Sequence, residues 1–113
     1  MYTKINDAAR RYNLRGMIVG QTEIWYMKNI NPLVKYTIKD LNETHILLGE
    51  IFEKDLEIIY DLMQGENWSP CGEAVELISH KGLQHTSMSV GDIVKVDGKY
   101  FVCESVDWRE LTE

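Results

Sequence analysis

From Val34 to Lys39 (VKYTIK) apolar and polar residues alternate, with Val34, Tyr36 and Ile38 set against Lys35, Thr37 and Lys39. That period of two predicts a strand with one wet face. His45–Ile51 (HILLGEI) reads as a more buried strand, and the brief DLNE connection between them predicts an antiparallel pair. Upstream, MIVGQTEIWYM (Met17–Met27) is β-branched and aromatic, which predicts a strand broken or bulged at Gly20. A short helix over Asp7–Tyr12 and a turn at Asn29–Pro32 complete the first third.

The period then changes. Leu56, Ile59, Tyr60 and Met63 fall at i, i+3, i+4 and i+7, which places them on one face of a helix stopping at Gln64-Gly65. Ser69-Pro70 predicts the start of a second helix, with Ala74, Leu77 and Ile78 as its buried face and Lys81-Gly82 as its stop. After it, Asp97-Gly98 separates two β-rich runs, a strong hairpin signal. A two-residue loop sets Val96 opposite Lys99, Val94 opposite Phe101 and Ile93 opposite Val102, so both faces carry apolar pairs. The expected architecture is α+β, one domain over residues 1–113. It comprises a small curled antiparallel sheet of about four to five strands, with a C-terminal β-hairpin and two to three short helices packed on it.

Composition narrows the function classes. The chain has 113 residues, 12 basic against 18 acidic, for a formal charge of −6. Such a balance opposes sequence-independent binding to phosphate backbones, so nucleic acid is a poor partner. Glu50, Glu53, Asp55, Glu57, Asp61, Glu66, Glu73 and Glu76 concentrate the acid in the middle, which suits either a solvated helix face or a surface for a basic partner. No apolar run reaches the roughly 18 residues of a membrane span, and the first residues lack a signal-peptide core. The expected location is the bacterial cytoplasm, with Cys71 and Cys103 as free thiols.

Candidate chemistry is sparse. Cys71 would fall in the first turn of the second helix, where a thiolate is favoured, but no local signature supplies a base; a small buried hydrophobe is the commoner role. No C-x-x-C, H-x-x-x-H or glycine-rich phosphate loop occurs, so no catalytic residues, metal or cofactor are expected. Glu66, Asn67 and Trp68 lie between the helices, where the indole either anchors a partner or staples the two helices from inside. The segment HTSMSVGD gathers His85, Thr86, Ser87, Ser89 and Asp92 around Met88. These polar groups form either a binding pocket or the side-chain ties of a junction turning at Val90-Gly91-Asp92, with Met88 facing inward.

The stretch Met63–Leu111 resembles a set of small proteins of uncharacterised function encoded by phages, plasmids and integrative elements, which share an HTSMSVGD-like motif, a following hairpin and a short closing segment. His85–Asp92, Asp97-Gly98 and Tyr100 carry the resemblance most specifically. It implies origin in a bacterial mobile element or phage, where small acidic proteins commonly act by binding host proteins, defence-system inhibitors among them. The resulting expectation is a non-enzymatic protein that contacts a host or phage protein. The alternative is a small-ligand or nucleic-acid module using residues 85–92 and the adjacent sheet, with Arg10, Arg11, Arg15, Lys95 and Lys99 converging. The hairpin edge leaves a homodimer open.

Overall fold

The structure is a computed structural model that describes residues 22–28, 37–51, 53–72 and 74–112. The expected helix at 7–12, the turn at 29–32 and the basic cluster of Arg10, Arg11 and Arg15 lie outside them. Among the described residues, five strands form one open antiparallel sheet in the order β2-β1-β3-β4-β5. They are β1 (Thr22–Met27), β2 (His45–Ile51), β3 (Ile93–Val96), β4 (Lys99–Cys103) and β5 (Trp108–Leu111). Among the described residues, four short helices join them: α1 (Leu41–Thr44), α2 (Leu56–Leu62), α3 (Gly65–Trp68) and α4 (Val75–His80). This is a small α+β fold.

The hairpin has the expected register. Val96 pairs with Lys99, Val94 with Phe101 and Ile93 with Val102. Asp97 and Gly98 both take positive φ, 51° and 79°, the twist that a two-residue loop between right-twisted strands requires. Its two faces enter separate apolar clusters. Val94, Ile24 and Tyr26 pack with Ile59, Met63, Trp68 and Ile78 from the helices, whereas Ile93, Val102 and Leu111 pack with Leu41, flanked by Trp25 and Tyr100. The sheet therefore buries apolar residues on both sides.

Several local expectations need correction. The described part of the alternating segment, Thr37–Lys39, is not strand: Asp40 N–H donates to Thr37 Oγ1 at 3.1 Å, and the chain turns there into α1. Among the described residues, β2 pairs with β1, with His45 opposite Met27. Between Ile24 and Trp25 the register slips, and Leu48, the unpaired residue of this bulge, is driven fully into the core.

Helix α2 begins at a good cap, since Asp55 accepts from the amides of Glu57 and Ile58. Ile59 and Met63 are buried as the periodicity requires, but Tyr60 turns outward and Leu62 takes its place in the core. The helix ends at Met63, not at Gly65, which instead opens α3. Ser69 does accept an orphan amide, from Ala74 at 2.8 Å, but α4 starts only at Val75 because residues 69–72 form a turn closed by Gly72 at φ 81°. At the far end Gly82 adopts φ 74° and Leu83 N–H returns to Ile78 O, a left-handed helix stop.

Candidate functional site

Residues 85–92 lie between α4 and β3, and several of their polar groups are hydrogen bonded within the chain. Asp92 is fully buried. Its Oδ1 accepts from the amide of Met27 on β1 at 2.8 Å, and its Oδ2 accepts from Ser89 N–H at 2.8 Å. His85 Nε2 donates to the same carboxylate at 2.8 and 3.0 Å. An ionised carboxylate only accepts, so the Nε2 position of His85 carries the proton. A buried carboxylate is tolerable only with this much hydrogen bonding.

The His85 ring stacks on Tyr26, with centroids 4.6 Å apart. The Tyr26 hydroxyl donates to Thr86 O at 2.7 Å, and the Trp68 indole donates to the same oxygen at 3.1 Å. Burial, then the Asp92 charge, holds the Tyr26 phenol well above its ordinary pKa, so it remains a neutral donor. Ser87 Oγ accepts from Gly65 N–H at 2.7 Å, and Ser89 Oγ donates to Ser87 O at 2.9 Å. Met88 is core, and its amide reaches Met63 O. The turn at Val90-Gly91-Asp92 closes through Asp92 N–H to Ser89 O at 3.0 Å.

A second histidine supports the same junction. His45 Nε2 donates to Gly91 O at 2.7 Å, and its Nδ1 lies 2.7 Å from Thr44 Oγ1. Gly91 O can only accept, so a neutral ring accepts the threonine proton at Nδ1. Burial holds the His45 pKa below its ordinary value, against opposing contributions from Gly91 O and Asp92. Strands β1 and β2 and helices α1 and α3 thus meet the 85–92 junction at one polar knot. His85 and Asp92 have the form of an oriented base, yet among the described residues no serine, threonine or cysteine side chain bonds the other ring nitrogen of His85.

The remaining expected residues scatter. Trp68 is 1% exposed, so it is the staple between helices and sheet and cannot anchor a partner. Asn67 Nδ2 donates to Asp61 O, which ties α3 to α2, and Glu66 is exposed. Cys71 is exposed in the 69–72 turn, ahead of α4, so the helix end that would activate it is elsewhere. Cys103 is buried, and burial followed by the charges of Asp92, Glu104 and Glu57 pushes its thiol up to about 11.

One concave feature was not foreseen. A recess of about 170 Å³ opens between α2 and the β4–β5 turn, with Tyr60 and Trp108 as aromatic walls and Glu57, Glu104 and Asp107 as carboxylates. The outward turn of Tyr60 creates one wall, and Asp107, at φ 69°, sits in the turn that brings Trp108 to the other. Neither is visible in the sequence, because Tyr60 has core spacing and Glu57 is distant from Glu104 and Asp107. Among the described residues, no three His, Cys, Asp or Glu side chains are grouped to hold a metal ion.

In comparisons with known proteins, no family model, curated protein or solved structure matches the chain. No helix among the described residues is long and apolar enough to cross a membrane.

Proposed function

We propose that the chain is a small non-enzymatic binding protein of a bacterial mobile element or phage, acting in the cytoplasm by contact with a host or phage protein. Inhibition of a host defence system is the specific form such contact would take. The observation that carries this reading is the division of labour between inside and outside. The polar groups with chemical potential, His85, Asp92, His45 and the Ser87 and Ser89 hydroxyls, are spent on the fold, while Ile58, Tyr60, Val75, Val90 and Val106 are exposed on an acidic chain. Exposed apolar residues set among charges suit a protein interface.

Affinity capture from the natural host, with the partner identified by mass spectrometry and the complex rebuilt from purified components, tests the proposal. A stoichiometric complex supports it. Failure to recover any partner at low salt overturns it, and a phage-survival assay tests the defence version. For the ligand or nucleic-acid alternative, the hydroxyl-rich turn supplies little, because Ser87 and Ser89 already bond within the chain. Lys95 is likewise engaged, 4.0 Å from Glu23 and over the Tyr100 ring.

A further inference from the structure

Resting on that protein-binding reading, we infer that the recess between α2 and the β4–β5 turn seats a lysine or arginine side chain from a basic segment of the partner protein. Its walls and its charge agree on this occupant. Tyr60 and Trp108 offer aromatic surface, against which an organic cation is held by the ring quadrupole. Glu57, Glu104 and Asp107 supply negative charge at the same place. Glu104 is already bonded to Arg109 at 2.9 Å, whereas the Glu57 and Asp107 side chains make no ion pair among the described residues. Cys103 on the recess lining has its thiol raised by burial first, then by Asp92, with Glu104 and Glu57 adding to it.

Size and ligand chemistry exclude the other occupants. A volume of about 170 Å³ is below the roughly 300–1,000 Å³ of sites for drug-sized ligands, and suits one side chain. A bare divalent ion is a poor match for aromatic walls, and no three-residue metal grouping is present among the described residues. Anionic ligands are repelled. Val106, 83% exposed at the tip of the same turn, offers apolar contact to the rest of such a segment.

The test titrates acetylated hexa-arginine into the ¹⁵N-labelled full chain, with hexaglutamine and spermidine as comparison probes. Saturable amide shifts confined to residues 57–61 and 103–108, weakened by salt, support the site. Replacing Glu57→Gln together with Asp107→Asn, which tolerates a left-handed backbone, is expected to weaken binding about 5-fold. Glu43→Gln with Glu110→Gln, neither of which lines the recess, leaves it unchanged. Equal losses in both double variants, shifts spread over all acidic faces, or tighter binding of spermidine than of the peptide would each overturn the assignment. A host partner captured equally by the Glu57→Gln/Asp107→Asn variant rejects the recess while leaving the protein-binding reading standing; no partner for either chain rejects that reading itself.

Discussion

His85 lies flat against Tyr26, with ring planes 13° apart, and from that position donates its Nε2 proton to the buried carboxylate of Asp92. The stack fixes the imidazole plane, and the carboxylate joins that ring to β1 through Met27 N–H. Replacing Asp92→Ala leaves these donors facing a dry cavity, and is expected to cost about 3–5 kcal/mol. Asp92→Asn keeps one acceptor oxygen and costs less, about 1–3 kcal/mol. Urea unfolding followed by tryptophan fluorescence measures both; equal stability of wild type and Asp92→Ala would remove Asp92 from its place at the centre of the fold.

His45 is expected to make stability depend on pH. Its folded pKa lies below the ordinary 6.5, so the unfolded chain takes up more protons in the interval between the two values. The stabilisation of the neutral ring is present above pH 6.5 and is lost as pH falls toward the folded pKa. Ring titration by NMR should give a His45 midpoint below 6.5. A midpoint at or above that value would show that burial does not outweigh the opposing contributions of Gly91 O and Asp92.

The two thiols should differ sharply in reactivity. Pushed up to about 11, the Cys103 thiol is ionised at pH 8 about 100-fold less than it would be at its ordinary 9.0, and it is in addition only 3% exposed. Native-state labelling with a maleimide followed by peptide mapping is expected to modify Cys71 and spare Cys103 until the protein unfolds. Equal rates at both sites would contradict the placement of Cys103.

Gly65 gives a test of packing. A Cβ there would stand 3.1 Å from Ser87 Oγ and 3.6 Å from Thr86 Cγ2, so Gly65→Ala gains helix propensity but crowds the bond that Ser87 makes to its amide. The expected balance is a loss of about 1 kcal/mol, reduced in a Ser87→Ala background by a coupling of at least ~0.5 kcal/mol. Additivity of the two substitutions in a denaturation series would show that the approach is not strained.

How far the sequence could be read depended on whether the signal was local. Asp97-Gly98 imposes its own loop geometry, so the hairpin and its register followed directly, and the largely apolar run of His45–Ile51 was legible with its bounds. Thr37–Lys39 failed because the Thr37 hydroxyl oxygen accepts from Asp40 N–H, and this turn overrode alternation. Strand β5 was not assigned, since WREL has too few residues for a period and exists by pairing with β4. At residues 85–92 the junction was foreseeable from Gly82 and the hairpin on either side. Its partners were not: Tyr26, Met27 and Met63 lie far off in sequence, and only the fold brings them to it.

The strand order also bears on how the chain reaches its native state. Strand β1 is flanked by β2 and β3, but Thr22 meets Ile51 on one edge and Val96 on the other. During synthesis the first ladder can close long before the second, which must wait until most of the chain has emerged. In that interval the edge of TEIWYM that later pairs with β3 carries unsatisfied amides and carbonyls, available to any passing strand. The slow step of folding is therefore expected to be closure of the β1–β3 ladder, and the period before it is when this protein most needs a chaperone.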